Sequence, residues 1–299
     1  MSSTEARFSD LLSAESAAPF GEMTFPLYRE YLSGLASGAP NVAAAAWTGD
    51  EPAGLALGCL RRSRRCDAEV LSLFVHAEER NRGIGTALLT RVEQALRDRG
   101  ATLAGAVYMT GRPDVAALER VLEKRGWSSP RLRMLVCEAD PATLAAPWLR
   151  RRRVSPGWSM VSWADVTEEQ RRSLLESQAA EAWIPADLVP FDHEAAGDPE
   201  TSVALLREDR VVGWLITHRL SPLLVRYTCS FLRPDLQRTG TLLSLYGEAA
   251  ARQAAVQNGS GRAIWTVPVQ HEAMVRFVRR RMAPFLRSLR ETRGSIKRL

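Results

Sequence analysis

The chain has 299 residues, of which 45% are apolar and 25% are charged, and its formal net charge is +6. This length suits two domains of about 150 residues, and the composition is that of a globular protein, which excludes a disordered or fibrous chain. No apolar run approaches the roughly 18 residues of a membrane helix, and the N-terminal stretch lacks the basic and apolar regions of a secretory signal. Four scattered cysteines and four scattered histidines predict neither a metal site nor a disulfide framework, and they favour a cytoplasmic protein.

The first half of the chain alternates strand and helix patterns. Two strand patterns flank a turn at 49–52 and predict a hairpin. Apolar residues at helical spacing follow the next strand, and Gly100 stands where a helix C-cap belongs. The predicted strands cover 41–47, 54–60, 69–75, 102–109 and 133–138, and the predicted helices cover 83–99 and 113–125.

A boundary and a repeat follow. Residues 140–157 contain three prolines and four consecutive arginines without a clear period, which indicates a linker at 141–157 between domains 1–140 and 158–299. In the second half, 203–213 matches the first hairpin, and 231–240 aligns without a gap on 74–83. The sequence therefore predicts two copies of one mixed α/β unit.

The turn at residues 80–86 joins a predicted strand to a predicted helix. Free backbone N–H groups and the helix dipole attract phosphate to such a helix N-terminus. Gly83 and Gly85 carry no Cβ, so a pyrophosphate can approach the backbone, and Arg80 and Arg82 add positive charge. The spacing fits neither the Rossmann fingerprint nor the NTPase phosphate loop. The segment therefore predicts a phosphate-binding turn of another kind.

This turn resembles the coenzyme A loop, [Arg/Gln]-x-x-Gly-x-[Gly/Ala], of the GNAT superfamily of N-acetyltransferases. The resemblance continues through the strand at 68–75 and through 114–127, where D-x-x-A and E-K-R-G-W are similar to the family's N-x-x-A and E-K-x-G-F pattern. It implies an α/β fold of two tandem GNAT-like domains, each a mostly antiparallel mixed sheet flanked by helices. It also implies acetyl-CoA as the acyl donor and no metal.

The resemblance further implies which residues bind the cofactor. In the family the fourth and fifth strands splay apart, the pantetheine arm wedges between them, and an amine attacks the acetyl carbon directly. Strand backbone groups would pair with the arm, and the turn would hold the diphosphate. The implied residues are Leu73, Phe74, Val75, Arg80, Asn81, Arg82, Gly83, Ile84, Gly85, Thr86 and Asp114.

Two residues are candidates for proton transfer. Glu69 lies eleven residues before Arg80, a spacing similar to that of the glutamate base in some histone acetyltransferases of this superfamily. The alternative is a solvent-facing carboxylate paired with nearby arginines. The family's usual acid is a tyrosine at the position of Leu122, so Tyr108 is the candidate stand-in. Its alternative is a tyrosine at the edge of the core.

The second copy of the unit lacks key features of the first. Residues 237–240 keep the start of the loop, but Leu242 replaces the second glycine, and a leucine there crowds a pyrophosphate. Arg226 stands at the position of Glu69 and is a poor base. We therefore predict that the second copy transfers no acetyl group.

The predicted function is transfer of acetyl from acetyl-CoA to a primary amine of a small molecule or peptide. One alternative is a Fem-type transferase that uses aminoacyl-tRNA, favoured by arginine clusters at 61–65, 150–153 and 279–281. The other is a non-catalytic acyl-CoA-binding module, favoured by the missing tyrosine. A nucleic-acid partner is disfavoured because aromatic residues do not interleave with the arginines. No membrane partner is expected, and homodimer formation and the acceptor's identity stay open.

Overall fold

The computed structural model describes residues 5–36, 38–61, 66–150, 156–237 and 239–299. The chain divides into two compact units, one formed by residues 1–133 and 291–299 and the other by residues 134–290. Parts of the predicted linker and of two arginine clusters, at 62–65 and 151–155, lie outside the described residues.

The described residues of the first unit form six strands in the order β1-β2-β3-β4-β5-β12. Neighbouring strands run antiparallel, except that β4 and β5 run parallel. The strands are β1 (Ala6–Leu11), β2 (Asn41–Thr48), β3 (Glu51–Leu60), β4 (Ala68–Val75), β5 (Leu103–Met109) and β12 (Ser288–Arg298). The helices are α1 (Ala14–Ala17), α2 (Arg29–Ser33), α3 (Ile84–Asp98) and α4 (Val115–Lys124).

Two apolar layers hold this sheet. The apolar stripe of α3, which includes Leu88 and Val92, packs on one face with Ala68 and Val70 of β4. The opposite face is covered by the segment before β2, whose Phe20 is fully buried beside the sheet residues Leu55 and Leu57. Burial of one helix stripe and one strand face is what the spacing of these residues predicts.

The second unit has the same plan, in the order β6-β11-β10-β9-β8-β7, with β10 and β11 parallel. Its strands are β6 (Arg131–Ala139), β7 (Trp158–Ser162), β8 (Val203–Arg207), β9 (Arg210–Ser221), β10 (Leu224–Leu232) and β11 (Arg262–Pro268). Its helices are α5 (Pro147–Arg150), α6 (Glu168–Glu181), α7 (Thr241–Val256) and α8 (Glu272–Phe277), and α8 continues in a π turn, Val278–Met282. Among the described residues, no helix is both long and apolar enough to cross a membrane.

Each unit takes its sixth strand from the other half of the sequence. The strand predicted at 133–138, at the end of domain 1–140, pairs antiparallel with β11 of the second unit. The position beside β5 is filled by β12, which pairs with β5 from Leu103 to Met109 and which the sequence pattern did not predict. The compact units therefore depart from the division into 1–140 and 158–299 at their last strands. The proposed linker also contains ordered structure, because α5 lies within it.

Candidate active site

The turn between β4 and α3 is built around a left-handed residue. Gly83 is the N-cap of α3 with φ +82°, and a Cβ added to it would meet no atom within 4 Å. Glycine is therefore needed here for its backbone conformation and not for space. Asn81 is also left-handed, with φ +63°. These two residues reverse the chain so that the first turn of α3 faces the end of β4.

The N-terminus of α3 has the properties of an anion site. The first helical N–H bond runs from Ala87 to the Gly83 carbonyl at 3.1 Å, and no side chain caps the helix at Gly83. The N–H groups of Ile84, Gly85 and Thr86 precede that bond and have no acceptor within the helix. Because α3 has 15 residues, its dipole adds positive potential at this end.

Two arginines are fixed beside this turn. The Nε of Arg80 donates to the Val75 carbonyl at 3.1 Å, which ties the loop to the last residue of β4. Arg82 forms an ion pair with the Glu79 carboxylate. The structure therefore brings together the predicted loop residues and the end of the predicted strand.

Gly85 lies at the mouth between β4 and α4. A Cβ added to it would lie 3.6 Å from Val75 Cγ2 and 3.8 Å from Val121 Cγ2, which are ordinary van der Waals distances. The protein atoms alone therefore leave room for a methyl group. A longer side chain would have to find room beside Val75 and Val121.

The sheet opens in front of this turn. Strands β4 and β5 are paired over three residues, and the last pair is Val70 opposite Ala106. β4 continues to Val75 along β3, and β5 continues to Met109 along β12. β4 also carries an extra residue, Leu71, opposite the step from Leu57 to Gly58 of β3, and such bulges bend a strand. The backbone of residues 71–75 thus has an edge toward β5 where no described strand pairs with it.

Glu69 lies on the face of the sheet away from α3. Its neighbours Ala68 and Val70 both pack in the α3 layer, so the side chain between them points to the opposite face. Its carboxylate forms an ion pair with Arg61 at 3.7 Å, and its side chain is 25% exposed. Burial raises the pKa of Tyr28 in the segment before β2, and the nearby Glu69 charge raises it further. Glu69 therefore faces a partly enclosed surface lined by that segment.

Tyr108 lies on the α3 side of the sheet and is engaged with α4. Its hydroxyl donates to Glu119 Oε1 at 2.9 Å, and Arg293 of β12 donates to the same oxygen at 3.0 Å. Burial raises the pKa of Tyr108 to about 12, and the bond to Glu119 adds to the increase. A thiol has a pKa of about 8.5, so this tyrosine is the weaker acid. It can protonate a thiolate only if its bond to Glu119 is broken.

Two further positions that the sequence pattern indicates near α4 hold a buried leucine and an ion-paired aspartate. Leu122 is 2% exposed within the α3 layer, so the position of the family tyrosine is part of the core. Asp114 is the N-cap residue of α4 but makes no side-chain cap there, and it forms an ion pair with Arg112 at 3.6 Å. Sequence reasoning missed Glu119 and Arg293, because nothing in the pattern connects residue 293 with β5.

The second unit repeats this geometry. Gly240 is the left-handed N-cap of α7 with φ +80°, and Gln237 Nε2 donates to the Leu232 carbonyl at 2.8 Å, as Arg80 does to Val75. β10 and β11 also pair in three registers, which end at Arg226 opposite Ile264. The differences therefore lie in side chains, with Leu242 and Arg226 at the positions of Gly85 and Glu69.

The comparisons with known proteins agree with this architecture. A sequence model of the Acetyltransferase (GNAT) family matches residues 6–127. The chain is similar to the structure of a tandem GNAT protein from the clavulanic acid biosynthesis pathway, at 16% identity over 98% of both chains and a TM-score of 0.58. It is also similar to a GCN5-related N-acetyltransferase from Sphaerobacter thermophilus, at 16% identity over 97% of this chain and 95% of that one, with a TM-score of 0.61. No curated protein sequence matches the chain.

The uncapped turn, the split sheet and the match over residues 6–127 define an acetyltransferase domain of the GNAT type. Over nearly its whole length the chain has the fold of these tandem-domain GNAT structures. This confirms the predicted resemblance to GNAT proteins, the mixed α/β fold and the internal repeat.

Proposed function

We propose that the first unit transfers an acetyl group from acetyl-CoA to a primary amine of a small molecule or peptide in a ternary complex. The observation that carries this proposal is the separation of β4 from β5 directly in front of the uncapped turn of α3. A diphosphate can accept hydrogen bonds from the free N–H groups of that turn, and an extended amide-bearing arm can pair with the open edge of residues 71–75.

In this proposal the amine and acetyl-CoA reach the opening between β4 and β5 from different directions. The amine approaches from the Glu69 face and its nitrogen attacks the thioester carbon, while a β4 backbone N–H stabilises the charge on the carbonyl oxygen. The C–N bond forms, the C–S bond breaks, and the thiolate leaves with the bonding electrons. Glu69 accepts the proton of the amine. The proton of Tyr108 is held by Glu119, so the thiolate takes its proton from the solvent, to which Glu69 releases the proton that it accepted.

A second candidate is an acyl-CoA-binding module without catalysis. It is favoured by the buried Leu122 and by the bond that holds the Tyr108 proton on Glu119. Release of free thiol from acetyl-CoA in the presence of an amine panel separates the two candidates, because a binding module releases none. We also propose a cytoplasmic location, supported by Cys59, Cys66, Cys137 and Cys229, which are all buried and form no disulfide.

The direct test of the cofactor site is Gly85→Leu, which copies Leu242 of the second unit. We expect calorimetry to show acetyl-CoA binding to the wild type and at least a tenfold weaker affinity for Gly85→Leu, because the leucine fills the mouth beside Val75 and Val121. Gly85→Ala is the matched control, because its methyl group has van der Waals room in the protein. Circular dichroism and urea unfolding verify that both variants fold. Equal affinity of all three proteins would contradict the assignment of this loop.

A further inference from the structure

The face of the first unit that carries Glu69 has an exposed apolar floor. Glu69 pairs in register with Gly105 of β5, and Gly105 pairs with Ile296 of β12, so all three point to one face. Val107 follows Gly105 by two residues on the same face. Val107 is 43% exposed and Ile296 48% exposed, although both lie within paired strands. At about 4.8 Å between strands, Ile296 lies about 10 Å across the sheet from Glu69.

An aromatic wall stands on this face. The rings of Phe25 and Tyr28, and those of Tyr28 and Tyr31, meet edge to face with centroids 6.0 Å apart. Tyr28 and Tyr31 pack on the same apolar layer as Phe74 of β4, and the Glu69 charge acts on Tyr28. The wall therefore lies close to the carboxylate.

The wall reaches the loop that follows β5. The guanidinium of Arg112 in that loop lies 5.3 Å from the ring centroid of Phe25, which is 48% exposed. This contact connects the aromatic segment before β2 with the strand on the far side of the opening. The rings of the aromatic wall and the side chains of Val107 and Ile296 thus lie on the Glu69 face of the sheet, near the opening between β4 and β5.

This floor carries few carboxylates. Glu69 is balanced by Arg61, and the 3.7 Å separation and the 62% exposure of the arginine side chain make this a weak, displaceable pair. In the segment before β2, Glu22 is already paired with Arg29 at 2.9 Å. A polycation needs several carboxylates for binding, and Glu69 is the single carboxylate described on the floor strands β4, β5 and β12 toward this face.

We propose that the acceptor is a monoamine with a flat apolar or aromatic body, and not a polyamine or an aminoglycoside. The body lies on Val107 and Ile296 against the ring edges of the aromatic wall, and the amine reaches Glu69. Covering these exposed side chains supplies binding free energy in proportion to the apolar area removed from water. This inference rests on the proposed acetyltransferase function and specifies its acceptor. In this proposal β12 also contributes to the acceptor site, through Ile296.

The test is an acceptor panel of 2-phenylethylamine, spermidine and kanamycin at saturating acetyl-CoA, with thiol release as the readout. We expect kcat/KM for 2-phenylethylamine to exceed the other two values at least tenfold. Val107→Thr and Ile296→Thr should each raise its KM at least threefold and leave the Kd for acetyl-CoA unchanged. Val256→Thr is the matched control, because Val256 is 39% exposed on α7 of the second unit, and it should leave KM unchanged.

The outcomes separate the two proposals. Preference for spermidine or kanamycin, or an unchanged KM in both floor variants, overturns the acceptor class while the acetyltransferase stands. If acetyl-CoA binds but none of the amines releases thiol, both the acceptor class and catalysis are overturned and the binding module is favoured. Absence of acetyl-CoA binding overturns the proposed function together with this inference.

Discussion

Glu69 and Tyr108 point to opposite faces of one sheet, and this separates the two candidates for proton transfer. Glu69 faces the surface that carries Tyr28, whereas Tyr108 lies in the α3 layer with its proton held by Glu119. A base on the acceptor side can take the proton of an amine that attacks through the opening. The physical case for Glu69 is therefore stronger than that for Tyr108.

We expect Glu69→Gln to lower kcat about a hundredfold or more, because positioned general bases contribute factors of 10² to 10⁴. The Kd for acetyl-CoA should stay within twofold, since Glu69 faces away from the α3 layer. The control is Glu272→Gln on α8, whose ion pair with Arg276 at 3.1 Å is also exposed. Steady-state kinetics and calorimetry provide both values. An unchanged kcat would remove Glu69 as the base.

For Tyr108→Phe we expect a fall in kcat of less than tenfold, because transfer from a phenol of pKa about 12 to a thiolate is uphill by about 5 kcal/mol. A fall of a hundredfold or more would instead identify Tyr108 as the acid. The raised pKa also stabilises the fold with the phenol neutral. This contribution is fully present below pH 10 and is lost as the pH rises through about 12. Urea unfolding across that range should show a smaller loss of stability for the variant than for the wild type.

At the scale of elements, α3 is joined to β12 by a buried carboxylate. Glu93 of α3 is 1% exposed, and it pairs with Arg125 and with Lys297 of β12, each at 2.6 Å. Trp127 Nε1 donates to its other oxygen at 2.8 Å. The last strand is thus attached by charge to the helix whose first turn forms the proposed cofactor site.

We expect Glu93→Gln to lower the free energy of unfolding by about 3 kcal/mol or more, because it leaves two cations without their counter-charge. Lys297→Met should cost less, because the pair with Arg125 and the bond from Trp127 survive. Urea unfolding measures both, and hydrogen exchange should show the amides of β12 losing protection in Glu93→Gln. Equal stability of Glu93→Gln and the wild type would show that the cluster contributes nothing.

The polarity of β12 explains why the sequence did not predict it. Strand patterns are recognised by apolar residues on one face, but the inward face of β12 carries Arg293, Ser295 and Lys297. These residues are accommodated because carboxylates of α3 and α4 meet two of them. By contrast, the sequence predicts β4, α3 and the turn between them. Their apolar residues have regular strand or helix spacing, and Gly83 marks the turn. The strand with which a polar strand pairs is set by tertiary contacts, which local sequence patterns do not predict.

At the scale of the whole molecule, the repeat and the family could be predicted from the sequence, and the exchange of last strands could not. Residues 231–240 align with residues 74–83 without a gap. The aligned glycines, Gly83 and Gly240, are both left-handed. Which strand completes which sheet depends on pairing between residues more than 120 positions apart, such as Cys137 with Trp265 and Val107 with Gly294. The functional difference between the units lies in a few side chains on a shared backbone plan.

The position of β12 also has a consequence for biosynthesis. A polypeptide is synthesised from its N-terminus onward, so one edge of β5 stays unpaired until the residues of β12 have been synthesised. An open edge of this kind invites pairing with other chains. We therefore expect the first unit to be most prone to pairing with other chains before β12 has been added. A truncation that removes β12 therefore takes a strand from the first unit, although β12 lies far from the other strands of that unit in the sequence.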